Sequence, residues 1–201
     1  MIRRIPILLL LAAAACAHPA PPVPIAVPAP PQRAISSEPD SDEVAVYAAL
    51  VDQLFSARRG AIVVADSVGR REWPEGIREA RLDSAVAAEI EADFRERNRT
   101  TITFPAETGA SHPVRVYASE EVLVLDGGGR LRGGYAVFVR RFPGVPGYHT
   151  VSRPGFDSAR RYALVTRSYY CGPLCADGGY VLLERRPDGW HVLSGRVLWV
   201  S

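Results

Sequence analysis

Residues 162–193 read YALVTRSYYCGPLCADGGYVLLERRPDGWHVL, and their rhythm decides the fold class. Short segments rich in β-branched, aliphatic and aromatic residues, at 162–168, 180–185 and 190–193, are separated by glycine- and proline-bearing turns, the pattern of consecutive strands. Asp188-Gly189 is a hairpin signal, because both turn positions tolerate positive φ at low cost. A last strand is predicted at 197–200. Working back along the chain, further strands are predicted at 114–118, 121–125 and 135–140, with Asp126-Gly127 as a second hairpin signal. The C-terminal half therefore reads as an antiparallel meander.

Upstream the period changes from two to about 3.6. Asp40 is placed to cap a helix, with Glu43 three positions on as its reciprocal partner. Val44, Tyr47, Leu50, Val51, Leu54 and Phe55 then recur at helical spacing, and the helix is predicted to end near Arg58 or Arg59, before Gly60. Ala61-Ile62-Val63-Val64-Ala65 suits a short buried strand. A second, acidic helix is predicted over 82–97, where Leu82, Val86, Ile90 and Phe94 form one apolar stripe while Asp83, Glu89, Glu91, Asp93 and Glu96 face elsewhere. The expected fold is α+β, two N-terminal helices packed against one face of a mainly antiparallel meander sheet, in a single domain at 41–201.

The N-terminal residues speak to location. Arg3 and Arg4 precede an apolar run that ends at Cys16, with small residues before the cysteine. This is the layout of an exported bacterial lipoprotein precursor, giving a signal peptide at 1–15 and lipidation at Cys16. The place three before the cysteine, usually Leu, holds Ala13. The plainer reading is an ordinary secretory signal cut near Ala15 or Ala17. The run is shorter than the roughly 20 residues of a spanning helix and contains Pro6, so the expected attachment is acyl chains on Cys16. Pro19, Pro21, Pro22, Pro24, Pro28, Pro30 and Pro31 mark 16–40 as a lipidated cysteine followed by an extended spacer. The expected address is the bacterial cell envelope, with the domain facing periplasm or exterior. In that oxidising compartment Cys171 and Cys175 are expected to form a local disulfide. Their three-residue spacing differs from the two-residue spacing of thiol oxidoreductases.

Charge is unevenly spread. Residues 41–129 hold 10 arginines against 16 acids, and residues 130–201 hold 11 arginines against 4 acids. An acidic helix complementing basic sheet edges accounts for this within the fold. A basic face meeting an anionic envelope surface accounts for it functionally. The partners expected are the membrane, through the lipid anchor, and an envelope protein or anionic surface, with no nucleic acid and no cofactor.

Gly134-Tyr135, Phe138, Phe142-Pro143, Gly147, Ser152-Arg153-Pro154-Gly155-Phe156, Ala163-Leu164-Val165, Cys171-Gly172-Pro173-Leu174-Cys175, Gly179-Tyr180, Leu182-Leu183, Gly189-Trp190 and Trp199-Val200-Ser201 together carry a resemblance. The segment 134–201 resembles a recurrent pattern of uncharacterised bacterial exported lipoprotein domains, a family with no assigned activity. Tyr135 and Pro154 depart from it, where a tryptophan and a small aliphatic residue are the pattern. The resemblance implies a domain type and no reaction.

Catalytic constellations are weak. His149, Ser152 and Asp157 are the residue types of a hydrolase triad, but in an extended segment His149 and Ser152 point to opposite faces, and no Gly-x-Ser-x-Gly elbow accompanies them. His112, His149 and His191 are isolated in sequence and lack metal-ligand spacing. The glycine run 127–134 precedes a strand, whereas a phosphate loop opens a helix. No catalytic or metal residue is assigned. Arg153 and His149 are the candidate ligand-binding residues, Arg153 having as its plain role a buried salt bridge to an acid of the N-terminal helices. Phe156, Trp190 and Trp199 read as core. The functional expectation is a non-catalytic binding or accessory domain of a cell-envelope lipoprotein. The alternative is an enzyme acting on envelope material through an ungrouped arginine, histidine and acid.

Overall fold

The computed structural model describes residues 38–57, 62–65, 67–68, 82–118, 123–125 and 131–201. Cys16, the leader and proline segments, the helix end expected at Arg58 or Arg59, and the Asp126-Gly127 turn lie outside them. Helix α1 (Ser41–Gln53) begins with the predicted capping box. Glu43 N–H donates to Asp40 Oδ1 at 3.0 Å, and Asp40 N–H donates to Glu43 Oε2 at 2.9 Å, so two orphan donors are met by two side chains. The helix stops at Gln53, earlier than its apolar spacing suggests, because a 3-10 turn at Phe55–Ala57 folds Phe55 into the core. Helix α2 (Ser84–Arg97) is capped by Asp83.

Among the described residues the main sheet has seven strands, β1 (Ile62–Ala65), β4 (Val114–Tyr117), β7 (Tyr148–Val151), β8 (Gly155–Phe156), β9 (Tyr162–Gly172), β10 (Cys175–Arg186) and β11 (Gly189–Val200). The short strands β2 (Ser67–Val68) and β3 (Ile102–Thr103) pair with each other, as do β5 (Leu123–Leu125) and β6 (Leu131–Gly133). The order β11-β10-β9-β7-β1-β4 makes a mixed, mostly antiparallel sheet, with β8 also paired to β9. The architecture is thus α+β.

Among the described strands of the main sheet, β9-β10-β11 forms the predicted meander. Strand β1 lies parallel to both β4 and β7, and parallel neighbours need crossovers. The segment predicted as a strand at 135–140 is instead helix α3 (Gly134–Arg141), between β4 and β7 in sequence, so the glycine run 127–134 ends where a helix opens and not, as expected, before a strand. Its composition is strand-like, but Phe138 and Phe142 are four apart and both buried, packing against Tyr117 at ring distances of 5.9 and 6.2 Å. The helical period outweighs the β propensity of the individual residues. The strands predicted at 190–193 and 197–200 fuse into β11, whose pairing to β10 shifts register twice. The β10–β11 turn falls at Pro187-Asp188, since Arg186 already pairs with Gly189, and the positive φ of 131° belongs to Gly189 at the strand start.

The helices also divide between the two faces, where one face was predicted. Strand alternation shows why. On β9, Ala163 and Val165 join Val46, Leu50 and Val51 of α1, while Leu164 between them joins Ile90 and Phe94 of α2. On β1, Val64 faces the α1 cluster, and Val63 and Ala65 meet Phe138 and Phe142 of α3. The core strands are thus covered on both sides, so their apolar runs need not alternate. At Gly155 β8 passes so close to α2 that a Cβ would lie 2.5 Å from Phe94 Cβ and 2.6 Å from the Ile90 carbonyl oxygen. Only glycine fits there. Among the described residues no helix is long and apolar enough to cross a membrane.

Candidate functional site

Arg153 sits in the segment linking β7 to β8. Its backbone N–H donates to Asn98 Oδ1 and its carbonyl accepts from Asn98 Nδ2, both at 3.0 Å. Asn98 is the C-cap of α2, so the end of one helix fixes the path of this loop. The loop is tied to the sheet as well, since Ser152 N–H donates to the Thr166 carbonyl and Thr166 N–H donates to Ser152 Oγ, each at 2.9 Å.

The Arg153 side chain is 1 % exposed and ends on Glu43, which is 0 % exposed. Nε donates to Oε1 at 2.8 Å and Nη2 to Oε2 at 2.9 Å, a forked pair that joins the loop to α1. This is the plain role read for Arg153 from the sequence. Nη1 reaches Thr100 Oγ1 at 3.4 Å. Around the pair, Arg97 places Nη1 3.4 Å from both Glu43 Oε1 and Asp40 Oδ2, and its Nε donates to Asp93 at 2.7 Å. Arg160 donates to Asp40 and Asp42 at 2.9 Å, and Arg185 also meets Asp42. The guanidinium groups of Arg97 and Arg160 lie 5.0 and 4.5 Å from the Phe156 ring centroid. Four arginines and four carboxylates thus balance within one lattice connecting α1, α2 and the loops around β8.

Burial pushes the Asp40 carboxyl up, but the Arg160 hydrogen bond, the Glu43 amide and the charges of Arg160 and Arg97 outweigh it and hold the group at about 2. Burial, followed by the neighbouring Glu43 charge, pushes the Tyr47 hydroxyl well above its ordinary value. Both Glu43 oxygens are taken, Oε1 by Arg153 and Arg97 and Oε2 by Arg153 and the Asp40 amide. A general base has to reach the proton it removes, and this carboxylate reaches only protein groups in its own lattice. The chemistry suited to the arrangement is holding helices to a loop.

His149 is buried elsewhere in the interior. It stacks on Phe55 at 3.8 Å between centroids, with Tyr169 at 4.8 Å, so it and Arg153 sit among different neighbours. Ser152 Oγ is engaged by β9, and Asp157 accepts the N–H groups of Arg161 and Tyr162 at 2.7 Å. The two histidines that looked isolated have acid neighbours, His112 with Asp52 and His191 with Asp188, both at 2.9 Å. Among the described residues no group of three His, Cys, Asp or Glu side chains is placed to hold a metal ion. Cys171 and Cys175 form a disulfide across the β9–β10 tip, with Cα atoms 5.0 Å apart.

The exposed apolar surface is at the same end of the sheet. Leu174 at the disulfide tip is 88 % exposed, and Val197, Leu198, Trp199 and Val200 on β11 are 51, 42, 41 and 75 % exposed. Phe156 and Trp190 are core as predicted, but Trp199 is not. Its ring lies over Gly178, where a Cβ would come within 2.3 Å of it, and continues a row with Tyr170 and Tyr148 at centroid distances of 6.3 and 5.2 Å. Strand β11 is also the edge of the sheet. At its first half the edge is covered, because the Gln53 side chain of α1 donates to the Trp190 carbonyl at 2.8 Å and accepts from Val192 N–H at 2.9 Å, standing in for a neighbouring strand. Sequence reasoning missed this surface. Its signal was the run Val197-Leu198-Trp199-Val200, which does not alternate as a half-buried strand does. Comparison of the chain with protein-family models, curated proteins and solved structures finds no match.

Proposed function

We propose that this chain is a cell-envelope lipoprotein, tethered through acylated Cys16 and a proline-rich spacer, whose domain works as a non-catalytic binding or accessory module. The observation that carries the reading is the second half of β11, an exposed apolar strand edge on a domain whose arginine lattice is spent on its own carboxylates. Exposed contiguous apolar residues mark interaction sites, and open strand edges invite pairing. The leader, cysteine and spacer read from the sequence support an address outside the cytoplasm, where other envelope proteins are the partners at hand.

Crosslinking and pull-down from intact membranes tests the reading, comparing the full chain with Cys16→Ser. The expected result is acylated, membrane-bound wild type that captures an envelope protein, and a variant that leaves the membrane. A Cys16→Ser chain that stays membrane-bound, with no acyl mass on the wild type, overturns the anchor. A wild type that captures nothing overturns the binding role.

A further inference from the structure

The hydrogen-bond pattern of β11 says what kind of group its edge takes. Ala176 and Ser201 exchange both backbone bonds, at 2.9 and 3.3 Å. By the antiparallel alternation, even-numbered residues of β10 bond to β11, and the β11 residues opposite the odd ones turn their peptide groups outward. Those residues are Trp190, Val192, Gly195, Val197 and Val200, opposite Arg185, Leu183, Val181, Gly179 and Asp177. The Gln53 amide meets the first two of them, donating to the Trp190 carbonyl and accepting from the Val192 N–H, which fits the alternation and shows that among the described residues α1 covers the edge as far as Val192. Beyond Val192 the outward peptide groups belong to a stretch with Arg196 as its one charge and no proline or lysine, so the usual guards of an edge, apart from its bulges, are missing. Val197 and Val200 belong to the α1 side of the sheet and Trp199 to the other, so the exposed side chains flank the edge above and below its plane. An occupant that meets all of this is an extended strand lying in the plane of the sheet.

We infer that the occupant is β11 of a second copy of this chain, paired antiparallel about a two-fold axis between Val197 and Leu198. In this register Gly195 stands opposite Val200 of the second copy, and both are outward-facing residues. Arg196 stands opposite Trp199 of the second copy, and both are on the same face, opposite Tyr180 and Gly178 of β10. The pairing therefore sets no like charges against each other and forms two symmetric arginine–tryptophan contacts. The Trp199 ring lies over Gly178 with its side chain partly exposed, already positioned for a guanidinium. The inference rests on the reading of β11 as the binding edge and names its partner.

Two differently tagged full-length copies, co-expressed and extracted in mild detergent, test it. The expected result is that each tag recovers the other copy, that Trp199→Arg abolishes recovery by setting arginines face to face, and that Trp199→Glu retains it by giving Arg196 an acid. Thermal unfolding followed by circular dichroism checks that both variants remain folded. Wild-type copies that never co-purify overturn the inference, as do variants that both lose or both keep recovery. Capture of a different envelope protein through β11, without a second copy, overturns self-pairing and leaves the binding reading standing.

Discussion

Arg153→Met removes one half of the forked pair that joins the β7–β8 segment to α1. The Glu43 carboxylate, wholly inaccessible in the fold, keeps only the Asp40 amide at 2.9 Å and Arg97 Nη1 at 3.4 Å. Breaking a buried ion pair by removing one partner costs about 3–5 kcal/mol, because the surviving charge stays desolvated. Since Arg97 still faces Glu43, the low end applies, about 3 kcal/mol. Against a total of roughly 5–15 kcal/mol for a domain this is a large fraction. With a urea m-value of about 1–3 kcal/mol/M, the midpoint falls by about 1–3 M. The companion Glu43→Met strands the arginine instead and also removes half of the capping box. The double variant Glu43→Met/Arg153→Met leaves no unpaired charge from this pair, so it is expected to lie above either single variant, short of wild type by about 1 kcal/mol for the lost cap. Urea unfolding of all four proteins by far-UV circular dichroism measures the cycle. A loss below about 1 kcal/mol for Arg153→Met, or a double variant that loses the sum of the singles, refutes the account of a closed, mutually compensating pair.

Three further outcomes are expected. Gly155→Ala drives a Cβ onto Phe94 and the Ile90 carbonyl and should cost about 1–3 kcal/mol as α2 is pushed off β8, read in the same urea assay; an unchanged midpoint contradicts the close approach. Non-reducing peptide mapping should find Cys171 joined to Cys175, and replacing both with serine should cost about 2 kcal/mol for so short a loop, so free thiols in envelope preparations would contradict the oxidised tip. The Asp40 carboxyl, held at about 2 in the fold, contributes stability that is present above its unfolded value of about 3.9 and is lost as pH falls through the folded value. Because Asp40 is 37 % exposed, solvent screening reduces that contribution to about 1 kcal/mol. Asp40→Asn should flatten the acid limb of the stability curve, and an acid limb as steep as wild type's rejects the assignment.

The sequence made the local parts legible and the long-range pairings much less so. Asp40 and Glu43 announce their capping box because both partners lie within one helical turn, and Val86, Ile90 and Phe94, with Leu82 just before the cap, announce the inner stripe of α2 by period alone. Arg153 was readable as a clasp because Pro154 and Gly155 constrain the segment that carries it, so its guanidinium can project onto a carboxylate of the helices. Residues 135–140 misled because Tyr135, Val137, Phe138 and Val139 favour strands individually, while the Phe138–Phe142 spacing that makes a helix shows only when the parallel β1–β4 and β1–β7 pairs require a crossover. Trp199 misled because burial of a strand residue depends on its place in the sheet order, and β11 is an edge only by virtue of the β11-β10-β9-β7-β1-β4 arrangement. The Gln53 amide bound to the backbone of Trp190 and Val192 links positions 137 and 139 residues apart, and nothing in either segment alone signals it.

The central claim is that this chain works by binding through the outer edge of β11. Its most direct test is photo-crosslinking in intact cells from a benzoylphenylalanine placed at Leu198 of the full chain, with Arg95 on the solvent side of α2 as the comparison position. A discrete envelope-protein adduct, the second copy included, from position 198 and not from position 95 is the predicted result. No adduct from position 198, or the same adducts from both positions, contradicts the claim.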